Sequence, residues 1–194
     1  MRFETKPLID ELLAIADHAA ESAKKFKTLD TKQLNFRQHN NSWSILQCIE
    51  HLNLYGDFYL PEIAKQIDAG KFTRHTSTYK SGIIGNYFAN LMRGKNGKIK
   101  KLKSPKDKTP VSSTLLSITL DRFLKQLDRL KALLIESQNV DMTKTKVPIS
   151  ISRIIKINLG DTFRFYTYHI ERHIAQANRV MKLAVNQKNP VAVP

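Results

Sequence analysis

From Leu116 to Leu134 the chain places Leu116, Leu120, Phe123, Leu127, Leu130 and Leu134 at steps of four, three, four, three and four. That is the period of a helix carrying one continuous apolar stripe, and such a stripe must be buried against partner helices. It predicts a helix over about 113–137. Three other segments carry the same periodicity. The first runs from about Lys6 to Phe26, with Leu8, Leu12, Ile15, Ala19 and Ala23 in one row and Pro7 in its first turn. The second opens at Ser44, where Ser44 and Gln47 form a capping box ahead of the stripe Ile45, Cys48, Leu52, Tyr55 and Tyr59. Trp43 is placed to act as a hydrophobic staple, Pro61 to kink this helix and Gly70 to stop it. The last helix is expected over about 161–186.

No region alternates like a strand, so the expected fold class is all-α, a four-helix bundle in a single domain over 1–194. The connection from Lys71 to Pro110 is long, is broken by Gly82, Gly85, Gly94, Gly97, Pro105 and Pro110, and has room for a short helix over Ile83–Met92. In a bundle, one such crossover between the second and third helices lets them run parallel. The stretch from Gln138 to about Asn158 reads as a polar linker.

Composition limits the function classes. The N-terminus MRFETKPLIDEL has no apolar core behind its basic residues, and no stretch approaches the roughly 18 unbroken apolar residues of a membrane span. A lone cysteine, Cys48, cannot build a disulfide framework, which makes a cytoplasmic setting the expectation. The formal net charge is +15, and the run Arg93–Lys108 holds eight Lys or Arg against one Asp. A solvated basic loop is the simpler reading of this run. Docking on nucleic acid or another polyanion is the alternative, although no aromatic residue is interleaved for stacking.

Chemistry is carried by histidines. His169 and His173 stand at i and i+4 in Tyr-His-Ile-Glu-Arg-His-Ile-Ala-Gln, so both imidazoles share one face of the last helix. At about 100° per residue, His173 lies among Tyr166, Ile170, Ala177 and Met181, while His169 sits at the flank of that stripe, on the side of Gln176 and Val180. His51, in Gln-Cys-Ile-Glu-His-Leu-Asn, flanks the core stripe of the second helix, one turn after Cys48 and one turn before Tyr55. Two inward imidazoles on one helix and one on another offer three nitrogen ligands to a divalent ion and leave a coordination position open. Zn²⁺, Ni²⁺ and Fe²⁺ all suit such donors. Cys48 reads as a core thiol before a fourth ligand. Glu50 and Glu171 read as surface charges before carboxylates that orient an imidazole, and Gln176 could approach the open metal face. His18, His39 and His75 have no partner at ligand spacing.

Two stretches resemble a known family. Trp-Ser-Ile-x-x-Cys-Ile-Glu-His-Leu-Asn, from Trp43, is similar to the second-helix signature of the DinB-like (DinB/YfiT) metalloenzymes. Leu-Gly-Asp-Thr-Phe-Arg-Phe-Tyr-x-Tyr-His-Ile-Glu-Arg-His-Ile-x-Gln-Ala, ending at Ala177, is similar to its fourth-helix signature. The resemblance implies an up-down-down-up helix order and a divalent ion held by His51, His169 and His173. It also implies activities of the kind this mixed family contains. These are thiol-dependent S-transfer with a low-molecular-weight thiol, then metal-assisted hydrolysis of a small-molecule substrate. The lysine-rich crossover is no part of the family's pattern, and no residue is assigned a catalytic role. A homodimer through helix faces is compatible with a bundle of this size.

Overall fold

The structure, a computed structural model, describes residues 1–94, 102–112 and 114–186. Four long helices form where the periodicity places them: α1 (Thr5–Phe26), α3 (Ile45–Asp68), α5 (Ile118–Glu136) and α6 (Leu159–Asn186). Both α1 and α3 pack on α5 and α6. Leu12, Phe26, Ile45, Ile49, Phe123, Leu130 and Phe163 are fully enclosed between them. Each such side chain contributes about 1.5–3 kcal/mol relative to an exposed one. The Ser44 capping box is formed, with Gln47 N–H donating to Ser44 Oγ at 3.2 Å and Ser44 N–H donating to Gln47 Oε1 at 3.1 Å. Helix α3 continues through Pro61 and ends before Gly70, whose φ of 58° supplies the left-handed residue that closes a helix C-terminus.

The expected all-α four-helix bundle in up-down-down-up order is overturned. The described residues hold six α-helices and two small antiparallel sheets. Strand β1 (Arg2–Glu4) pairs with β2 (Thr78–Lys80), joining the start of the chain to the start of the crossover. Strands β3 (Lys146–Ile149) and β4 (Ser152–Asn158) form a hairpin inside the stretch read as a linker. The β1–β2 sheet turns only Phe3 and Tyr79 inward, too short a stretch to show alternation, and β4 does not alternate. Ile154 in β4 is 93% exposed and Ile155 is also open to solvent, so no period-2 pattern marks the strand. The other additions are α2 (Thr31–Leu34), opened by a capping box at Asp30 and Gln33, and α4 (Ile83–Arg93), which packs on α6.

Helix α5 also starts later than the stripe suggests. The side-chain amide of Asn35 binds both the N–H and the carbonyl of Leu115, at 2.9 and 3.0 Å. That pins the backbone ahead of the helix and leaves Leu116 largely exposed. The buried row therefore begins at Leu120.

One buried polar cluster fixes the start of α6. Asp161 accepts hydrogen bonds from Ser81 Oγ (2.5 Å), Gly82 N–H (2.8 Å), Tyr79 OH (3.3 Å) and Arg164 Nη1 (3.2 Å). The Arg164 guanidinium lies 4.1 Å from the ring centroid of Phe3. Strand β2 and the N-terminus of α4 are thereby tied to α6. The fit depends on Gly160, because a Cβ there would meet the Tyr79 ring at 2.7 Å. The Leu-Gly-Asp-Thr-Phe-Arg part of the sequence pattern thus sets the position of α6, one helix turn below Tyr168 and His169.

No helix among the described residues is long and apolar enough to cross a membrane. Of the basic run, Lys95, Lys98, Lys100 and Lys101 lie outside the described residues. Two of the described members are used internally. Arg93 pairs with Glu11 at 2.9 Å and sits over the Tyr168 ring, while Lys108 folds over Tyr55 and Phe58.

Candidate metal centre

His51 from α3 and His169 and His173 from α6 meet in the interior. One nitrogen from each lies within 4.8 Å of the others, and their ring centroids are 4.6–4.9 Å apart. All three side chains are buried. The capping box at Ser44 sets the start of α3, and the Asp161 clamp sets the start of α6, so two local sequence signals fix where these imidazoles converge.

Hydrogen bonding decides which nitrogen of each ring faces inward. His51 Nδ1 lies 2.5 Å from the carbonyl oxygen of Lys108; a carbonyl only accepts, so Nδ1 carries the proton and Nε2 presents a lone pair. His173 Nδ1 donates to Gln176 Oε1 at 3.0 Å, with the same consequence for its Nε2. His169 Nε2 is 3.1 Å from His51 Nε2, while His169 Nδ1 is buried without a hydrogen-bond partner. Two lone pairs therefore converge, and only the His169 ring proton is left to share between them. Two imidazole nitrogens on one tetrahedral ion at 2.0–2.1 Å would be about 3.3 Å apart, close to the separation seen.

The electrostatics suit a metal better than a proton. Burial lowers the pKa of His51 to about 4 and that of His173 to about 3, and it holds His169 well below the ordinary histidine value. The Arg172 guanidinium pushes all three in the same direction. Neutral imidazole is the form that ligates. Trp43 lies against His51 and His173, with centroids at 4.8 and 5.7 Å. Tyr55 sits at 4.5 Å from His169, and Phe165 stacks on that ring at 5.9 Å. These rings leave the imidazoles little freedom to turn.

The histidines line a cavity of about 270 Å³. Its walls come from α3, α4 and α6, from the turn of the β3–β4 hairpin (Ile149–Ile151), and from residues 102–105 of the crossover. Among the described residues, the other candidates lie elsewhere. Cys48 is fully buried in the core, its thiol pushed up to about 12 by burial, and it is not grouped with the histidines. Glu50 pairs with Arg122 at 3.1 Å, and Glu171 is exposed. Gln176 approaches the back of His173 rather than the open face. His18, His39 and His75 are exposed. Trp43, expected as a staple on the turn after the cap, also reaches His51 and His173, whereas Arg172 and the Lys108 carbonyl join the site with no signal in the sequence.

A family model for the DinB superfamily matches residues 14–177, and the chain belongs to that superfamily. No curated protein and no solved structure matches it significantly.

Gln176 offers a direct check on the tautomer argument. Gln176→Leu removes the acceptor that keeps His173 Nε2 unprotonated, and partners of this kind are typically worth 10–100-fold in metal affinity. A competition titration of Zn²⁺ against a chromophoric chelator should show a loss of about tenfold or more, with the melting curve of the metal-free protein little changed.

Proposed function

We propose that the chain is a divalent-metal-dependent enzyme acting on a small molecule, with the ion held by His51, His169 and His173. What carries this reading is the convergence of imidazole lone pairs in a buried pocket where protonation is disfavoured. Three nitrogen donors leave room in the coordination shell, and that shell opens onto the cavity. Zn²⁺, Ni²⁺ and Fe²⁺ all fit the donor chemistry.

A bound divalent ion would act there as a Lewis acid, lowering the pKa of a water or thiol beside it. The chain's own residues supply the setting. The Lys108 carbonyl and the Gln176 amide hold His51 and His173 as Nδ1–H tautomers with Nε2 inward. Tyr55, Phe165 and Trp43 exclude water from the imidazoles and fix their planes. Membership of the superfamily favours thiol S-transfer, in which a carbon–sulfur bond forms as the leaving group departs with its electron pair and the thiol proton is released. Hydrolysis of a small-molecule substrate is the second reading. Docking of a polyanion on 93–108 gains no support from Arg93 and Lys108, which are bound within the fold.

Protein purified without chelators should carry about one divalent ion per chain, as three imidazoles on one ion require. After cobalt substitution, adding 2-mercaptoethanol should produce a thiolate-to-cobalt charge-transfer band. Negligible metal in every preparation and no cobalt uptake would sink the proposal. A cobalt spectrum indifferent to thiol would move the reaction from S-transfer to hydrolysis.

A further inference from the structure

The charges around the cavity are one-sided. Arg172 and Lys103 are among its lining residues, and no Asp or Glu is found among them. With no carboxylate beside them, the charged side chains of the described lining are cationic only. Arg172 is partly buried on α6, beside His173, with Nη1 facing the Leu91 carbonyl at 3.5 Å. It lines the same cavity as His51, His169 and His173, which places its field over the histidine end of the cavity. A guanidinium has five N–H donors in a planar fork, so it can hold its neighbours here and an oxyanion together. Lys103 is exposed, at the solvent side of the same wall. The rest of the lining is largely apolar, with Trp43, Phe88 and Phe165 offering flat surfaces. A cleft of one charge sign with low-dielectric walls concentrates field and draws in counter-charged ligands.

We propose that this cavity binds a small organic anion with an apolar body, its carboxylate or equivalent oxyanion held by Arg172 and Lys103 and its body laid on the aromatic wall. The inference builds on the reading of this cavity as the reaction chamber and adds the class of substrate it takes. Size agrees: about 270 Å³ falls below the usual range for drug-sized ligands and suits a compact acid. Arg172 is then a specificity-determining residue, distinct from the three proposed ligands.

The test compares 4-phenylbutyrate with its neutral isostere 4-phenylbutyramide by calorimetry, on metal-loaded and on EDTA-treated full-length protein. The carboxylate should bind about tenfold or more tightly than the amide in both states, as a charge-assisted hydrogen bond predicts. Arg172→Gln and Lys103→Gln should each cut that ratio, and the double variant should bring it near one. Arg172→Lys should keep much of it, and exposed Lys103 gives a readable variant even if Arg172→Gln folds poorly. Equal affinities in wild type overturn the proposal, as does a preference that survives in the double variant. A preference seen only with metal present assigns the carboxylate to the ion; it overturns the Arg172–Lys103 site and leaves the metal reading standing. A preference in protein that takes up no metal supports the anion site while removing the metal reading.

Discussion

Replacing His169 with methionine should cut metal affinity by two orders of magnitude or more while leaving the metal-free protein close to wild type in stability. The two halves of this result have separate causes. His169 is one of the three proposed donors, 3.1 Å from His51 Nε2 and packed edge-on to His173. Losing one of three ligands removes a large share of a binding energy that reaches about 10–16 kcal/mol in structural zinc sites, so affinity should fall by two orders of magnitude or more. In the metal-free protein the same side chain brings a cost that offsets the ring proton it shares with His51 Nε2. His169 Nδ1 is buried without a partner, and a buried unsatisfied polar atom costs about 1–3 kcal/mol. Methionine is similar in length, flexible and apolar, and it sits well among aromatic rings such as Tyr55 and Phe165. Metal analysis paired with urea denaturation of chelated protein would check both halves. A variant that keeps stoichiometric metal would contradict the assignment of His169. A metal-free variant destabilised by several kcal/mol would instead mark the histidine as a packing residue.

The proposed ligands and the residues that enclose the site were not equally legible in the sequence. His169 and His173 share a helix face by simple i, i+4 geometry, and His51 sits seven residues after a capping serine, so helical periodicity placed all three inward. The expectation of a four-helix all-α fold failed because the remaining elements are short or lack alternation. Strands β1 and β2 are three residues each and pair across more than seventy positions, a contact no local pattern announces. In β4 Ile154 and Ile155 are open to solvent while Ile157 is buried, so the strand lacks the alternation that would mark it. These elements matter to the site. The β3–β4 turn and residues 102–105 close the cavity beside the histidines, and the Lys108 carbonyl selects the tautomer of His51. A backbone carbonyl has no sequence signature. Arg172 reads in Ile-Glu-Arg-His-Ile as one more exposed charge, and only the fold brings it to the cavity wall.

Acid should unfold the metal-free protein earlier than its carboxylates alone would, and the sign follows from the histidines. Burial lowers His51 to about 4 and His173 to about 3, whereas in the unfolded chain a histidine titrates near 6.5. Between these values the unfolded chain binds protons that the folded chain refuses. Stability is therefore fully present above pH 6.5 and is lost as pH falls toward the folded values. By pH 5 each such histidine should have removed about 2 kcal/mol, while most carboxylates are still ionised. The Lys108 carbonyl and the Gln176 amide oxygen pull His51 and His173 back upward, but burial outweighs them, the Arg172 guanidinium adds to the cost of protonation, and no described carboxylate lines the cavity. Urea denaturation of chelated protein at pH 7.5, 6.0 and 5.0 would measure the slope. Replacing His169 by methionine should flatten it by about one histidine's share, and saturating Zn²⁺ should shift the loss to lower pH, since protons must then displace the ion. A stability that stays level from pH 7.5 to 5.0 would mean that the folded chain takes up these protons freely, and that the three imidazoles are not held neutral for an ion.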